Sequence, residues 1–235
     1  MPATTIPGGA SSPQLKAHLA VPPLGDGPWP GVLVLHEAFG LNDDIRQQAD
    51  RLAAAGYFAV ALDLYSAGGR WRCLQATMRS LAAGRGKAFE DIDAARRWTA
   101  DRPDCTGRVG VLGFCMGGGF AIAAAASGFD ACAPNYAHLP KELDGTLRGA
   151  CPVVASYGRK DRMLRGTAAK LESALARAGV EHDVEEYEDA GHSFLNRHGF
   201  GPGGALLRVV GVGYHEPSAE HAWGRILRFF DEHMN

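Results

Sequence analysis

The sequence contains no C-x-x-C pair, and its five cysteines (73, 105, 115, 132, 151) are odd in number and scattered. That argues against a disulfide framework and against a thiolate zinc site, and it fits thiols kept reduced. Neither sign of charge is in excess: 24 Lys and Arg against 26 Asp and Glu give a net charge of −2. Nucleic acid and anionic membrane surfaces are therefore not expected as main partners. No apolar run approaches the roughly 20 residues of a membrane span. The opening MPATTIPGGASSP has neither a basic start nor an apolar core, so it does not read as a signal peptide. Residues 1–13 are rich in Pro, Gly, Ser and Thr, which predicts a loose arm, and the expected compartment is the cytoplasm. There is no internal repeat and no linker-like break, so residues 1–235 are expected to form one domain.

What is present is an alternation of apolar runs and helical periodicities. Leu15 to Val21 alternates as an edge strand would. Continuous apolar runs at Gly31–Leu35, Phe58–Leu62, Val109–Gly113, Ala131–Tyr136 and Val153–Tyr157, with Val184–Tyr187 last, read as strands, the continuous ones buried on both faces. Between them lie helical spacings: Ile45, Ala49, Leu52 and Ala53 after a cap at Asn42 or Asp43; Phe89, Ile92, Ala95 and Trp98; Ala168, Leu171 and Leu175 up to Gly179; and Trp223, Ile226, Leu227 and Phe230. Strand-helix alternation from end to end predicts an α/β fold, a mostly parallel sheet with helices on both faces. Residues 134–150 and 196–217 are the longest stretches without clear periodicity.

Gly113-Phe-Cys115-Met-Gly117 has the G-x-nucleophile-x-G pattern between a strand and a helix, with Cys where Ser usually stands. The sharp turn leaves no room for a Cβ two residues either side of the nucleophile. It also sets the thiol at a helix N-terminus, where thiolates are favoured. The competing reading, a nucleotide-binding turn with Cys as filler, lacks the G-x-G-x-x-G spacing and any Lys-Ser/Thr of a P-loop. Downstream, Asp161 follows the strand at Val153–Tyr157 and His192 follows the strand at Val184–Tyr187. Nucleophile, acid, histidine is the chain order of α/β-hydrolases. His36-Glu37 has no second His at zinc-motif spacing, so no metal and no cofactor are expected.

From about residue 15 onward the chain resembles the dienelactone hydrolase (carboxymethylenebutenolidase) family. Five motifs carry the resemblance: Leu35-His-Glu37-Ala-Phe-Gly-Leu-Asn42, Leu62-Asp-Leu-Tyr65, Gly113-Phe-Cys115-Met-Gly-Gly118, Gly158-Arg-Lys-Asp161 and Gly191-His192-Ser-Phe194. It implies an α/β-hydrolase fold in which Cys115 is the nucleophile, His192 the base and Asp161 its orienter. Glu37 would contact the resting thiol and accept its proton when substrate binds. The backbone N–H groups of Ala38 and Met116 would form the oxyanion hole.

A thiolate leaves more readily than an alkoxide, so an intermediate on Cys115 goes forward only if the competing leaving group is stable. Enol lactones, activated esters and thioesters qualify. The expected partner is a small-molecule ester or lactone, and monomer and homodimer both stay open. Residues 66–88 hold five basic side chains (Arg70, Arg72, Arg79, Arg85, Lys87) and no acidic one. The family's substrate carries a carboxylate, which arginine binds well, so Arg72, Arg79 and Arg85 are candidates for it. The family's second carboxylate-binding arginine falls where Asn196 stands here, which makes Arg197 the substitute. The rival readings are a broader carboxylesterase or thioesterase, a non-catalytic protein on a hydrolase fold, and a thiol redox sensor.

Overall fold

A computed structural model describes residues 3–197 and 212–235. Its sheet has eight strands: β1 (Ala3–Pro7), β2 (Gln14–Ala20), β3 (Trp29–Leu35), β4 (Phe58–Leu62), β5 (Cys105–Phe114), β6 (Ala131–Asn135), β7 (Val153–Gly158) and β8 (His182–Tyr187). Their spatial order is β1-β2-β4-β3-β5-β6-β7-β8. The pairs β1/β2 and β2/β4 are antiparallel and all the others are parallel. The helices are α1 (Asp43–Ala54), α2 (Arg70–Ala83), α3 (Lys87–Ala100), α4 (Met116–Ala123), α5 (Leu143–Thr146), α6 (Thr167–Ala178) and α7 (Glu216–Met234).

The continuous apolar runs become the inner strands. Every residue of β4, β6 and β7 is buried, as is every residue of β3 after Trp29. Such strands need cover on both faces, and two glycines show that they get it. Gly31 faces Thr99 of α3 and Val109, whereas Gly110, one residue beyond Val109 and so on the opposite face of the pleat, lies against Met234 of α7. Each fully buried Val, Leu, Ile or Phe contributes roughly 1.5–3 kcal/mol through burial. α1 starts at Asn42, whose side chain accepts from the Ile45 N–H, and α6 stops on Gly179 in a left-handed conformation.

Two expectations are corrected. Residues 3–13 are not a loose arm. β1 pairs with β2 over five residues, Ile6 is fully buried, and the Ala10 and Ser11 N–H groups donate to the Asp91 carboxylate of α3 at 2.7 and 2.9 Å. β2 is consequently an inner strand, and β1 takes the edge. The basic stretch after β4 is largely helical: α2 buries Cys73 and Thr77 and leaves its arginines in solvent. Most of 196–217 lies outside the described residues.

Candidate active site

Because β3 and β5 to β8 run parallel, their carboxyl ends lie along one rim. Register pairs Leu35 with Gly113, Phe114 with Asn135, Asn135 with Ser156 and Gly158 with Tyr187. The motif residues follow directly after these ends. Cys115 occupies the turn between β5 and α4 with φ 52° and ψ −111°. Its N–H donates to the Asn135 carbonyl at 3.0 Å, and its own carbonyl accepts from Gly119 N–H at 3.0 Å. A Cβ on Gly113 would run into the Gly117 carbonyl, and one on Gly117 into the Leu35 carbonyl. The elbow glycines are thus set by sterics.

The His192 Nε2 lies 3.2 Å from the Cys115 Sγ, and its Nδ1 lies 2.6 Å from the Asp161 Oδ2. The other Asp161 oxygen accepts from the Met163 N–H at 3.0 Å. Asp161 and His192 are both buried. Their loops are tied together: Lys160 N–H donates to Ala190 O, and Gly158 packs so closely on Ala190 and Gly191 that no side chain fits. Burial alone would lower the pKa of His192. Hydrogen bonds to Asp161 and Cys115, and the charges of both, outweigh it and push the imidazole up to about 10. The arrangement favours the imidazolium form of His192.

Glu37 is also buried, and one of its oxygens accepts from the Ser193 hydroxyl at 2.7 Å. The loop that carries Glu37 is braced from below. His36 donates from Nδ1 to the Glu37 carbonyl at 2.6 Å, and its Nε2 accepts from Leu64 N–H at 3.0 Å. The Tyr65 hydroxyl donates to the Ala38 carbonyl at 3.0 Å. Met116 opens α4 directly after Cys115.

Arg72 and Arg79 sit on the exposed side of α2 and Arg85 in the turn after it, with no ion pair among the described residues. The Arg197 guanidinium stacks on Tyr214 with its carbon 4.2 Å from the ring centroid, donates to the Tyr214 hydroxyl and reaches Glu216. Asn196, at the position of the family arginine, is buried and accepts from the Gln48 amide. Sequence reasoning gave no role to Ser193, His36, Tyr65 or Tyr136. Ser193 had a signal, its place beside His192 in the last motif. Among the described residues no cluster of three or more His, Cys, Asp or Glu side chains is arranged to hold a metal. No described helix is long and apolar enough to cross a membrane.

A mostly parallel sheet with a nucleophile-type turn, an acid and a histidine at its carboxyl rim defines an α/β-hydrolase. The model of the dienelactone hydrolase family matches residues 15–234, and the chain belongs to that family. A carboxymethylenebutenolidase from Pseudomonas putida is 30% identical over 178 residues, 71% of this chain and 75% of that one. Another, from Pseudomonas sp. strain P51, is 30% identical over 189 residues, 76% and 78% of the two chains. A dienelactone hydrolase structure from Anabaena variabilis superposes with a TM-score of 0.70 at 20% identity, covering 100% of this chain and 98% of that one. A brefeldin A esterase does so with a TM-score of 0.72 at 17% identity, over 99% and 76%. These two structures speak to the fold. The family match and the two carboxymethylenebutenolidases make the chain a hydrolase of that type.

Proposed function

We propose that this hydrolase cleaves activated esters and enol lactones through an acyl-enzyme on Cys115. The observation that carries the reading is the hydrogen-bonded chain from Cys115 Sγ through His192 to Asp161, 3.2 and 2.6 Å long, at the start of an eight-residue helix. The thiol proton passes to Glu37 and the thiolate pairs with the His192 imidazolium. Sγ attacks the carbonyl carbon, and the oxyanion is held by the Met116 and Ala38 N–H groups. The C–O bond then breaks, its electron pair leaves with the oxygen, and His192 supplies that oxygen's proton. Water, deprotonated by His192, attacks the acyl carbon; the C–S bond breaks, the acid leaves, and the thiolate takes its proton back from Glu37. Asp161 fixes the imidazole orientation throughout.

Cys115→Ala removes the attacking atom from a partly exposed site and leaves the core alone, so hydrolysis should vanish in a folded protein. Mass spectrometry of wild type with a slow ester should show an acyl adduct on Cys115. An adduct elsewhere, or undiminished turnover by the variant, would end this reading. The engagement of Arg197 with Tyr214 and Glu216, and the burial of Asn196, favour a second reading: a broader carboxylesterase or thioesterase without an anion clamp.

A further inference from the structure

Three residues other than glycine hold a left-handed backbone among the described residues: Cys115 (φ 52°), Tyr136 (φ 37°) and Ser193 (φ 60°). Such conformations cost stability and gather where function needs them. Cys115 is the nucleophile of the proposed reaction, and Ser193 holds Glu37. Tyr136 has no part in that scheme. It follows directly on Asn135, the residue whose carbonyl fixes the Cys115 N–H. Its ring is fully buried, with centroids 5.2 Å from His192, 5.8 Å from Phe194 and 6.3 Å from Phe114. Its hydroxyl is buried and has no hydrogen-bond partner among the described residues. Nearly all buried hydroxyls are paired, so an orphan one asks for an explanation.

We propose that the Tyr136 hydroxyl is a substrate-contacting donor that hydrogen-bonds the leaving oxygen as the C–O bond breaks; the inference rests on the acyl-enzyme reading above. Geometry selects that oxygen. The carbonyl oxygen is taken by the Met116 and Ala38 N–H groups, and Sγ takes the carbon. The leaving oxygen must lie on the side of His192, which protonates it, and the Tyr136 ring packs on His192. Burial, with the charges of Glu37 and Cys115 acting the same way, holds the phenol well above its ordinary pKa, so it is a donor and not a base. In the step itself the Sγ–C bond forms, the C–O bond breaks, its electron pair goes to oxygen and the His192 proton follows. Tyr136 keeps its own proton. A donor aimed at developing negative charge acts most strongly in the transition state. The hydroxyl is sealed in the structure described, so the contact forms only when a substrate opens the pocket. The folded protein bears an unpaired donor that turnover uses.

The test compares wild type with Tyr136→Phe on aryl acetates whose phenols span a range of acidity, alongside thermal melting and Cys115 adduct formation. The variant should lose about 10- to 100-fold in the acylation rate for the poorest leaving group, the size of a charge-assisted hydrogen bond. It should lose far less for p-nitrophenyl acetate, so the plot of log rate against leaving-group pKa steepens. Its Tm should equal or exceed that of wild type, because no native hydrogen bond is removed. Parallel plots, unchanged rates or a lowered Tm would each overturn the proposal while leaving the adduct on Cys115 in place. Absence of that adduct in wild type overturns the acyl-enzyme reading instead, and this inference with it.

Discussion

Burial and two hydrogen bonds pull on His192 in opposite directions, and the hydrogen bonds prevail. The unfolded imidazole titrates near 6.5 and the folded one near 10. Between those values the native state holds a proton that the unfolded chain releases. Its contribution to stability is complete below pH 6.5 and is lost as pH rises through about 10. Stability should fall across that window by up to about 1.4 kcal/mol per pH unit from this one group. Other groups titrate there too, so the measurement is a difference: urea unfolding of wild type and His192→Asn at pH 6.5, 8 and 9.5. The gap between the two proteins should narrow as pH rises. A constant gap would mean that His192 is neutral in the native state. The buried thiols behave otherwise. Burial holds Cys132 well above the ordinary thiol range and pushes Cys151 up to about 12, which leaves both inert at neutral pH.

At the scale of elements, Arg225 ties α7 to the far end of the sheet. Its buried guanidinium donates to the Asp183 carboxylate and carbonyl on β8 at 2.9 Å each, to the Tyr187 hydroxyl at 3.2 Å and to the Ser156 hydroxyl of β7 at 3.3 Å. Arg225→Met should cost roughly 3 kcal/mol, the low end for breaking a buried pair, because the Asp183 side chain keeps 46% of its exposure to water. The urea midpoint reports it. Catalysis at low temperature should survive, since Arg225 does not touch Cys115, His192 or Asp161. The same scale shows what the sequence could tell. The inner strands were legible because burial on both faces writes an unbroken apolar run, as in β4 and β7. The turns carrying Cys115, Asp161 and His192 were legible because strand ends and glycines mark them. β1 was not, since Pro, Gly and Ser around it read as loop and its partner strand and Asp91 are supplied from elsewhere. α2 is hard to read from sequence because its buried stripe is thin, Cys73 and Thr77. The Glu37–Ser193 hydrogen bond joins residues 156 apart in sequence, and nothing local encodes such a meeting.

The whole molecule is close to neutral, yet its cations are unevenly spread. Five fall within residues 66–88 with no acid among them, and most other arginines have ion-pair partners. If this region faces incoming substrate, an enol lactone bearing a carboxylate should be preferred over its methyl ester by about ten- to hundredfold in kcat/KM, the value of one charge-assisted hydrogen bond. Part of the preference should fade at high salt, because exposed charges are screened. Single Ala substitutions at Arg72, Arg79, Arg85 and Arg197 would assign it. Equal values for acid and ester in wild type would favour the broader esterase and leave the cysteine chemistry untouched.

The order of strands carries one more consequence. Cys115 comes from the middle of the chain, its histidine partner lies 77 residues later, and the acid 31 residues before that histidine. Each pairing that brings them together is parallel, and parallel neighbours must close a long loop before they gain any contact. A chain emerging from the ribosome therefore carries the Cys115 thiol well before the His192 and Asp161 side chains with which it forms a hydrogen-bonded chain in the fold. On the acyl-enzyme proposal, reactivity would arrive late, only once β7, β8 and the segment after β8 have docked, and the growing polypeptide would be spared an activated thiol while its neighbours are still unfolded.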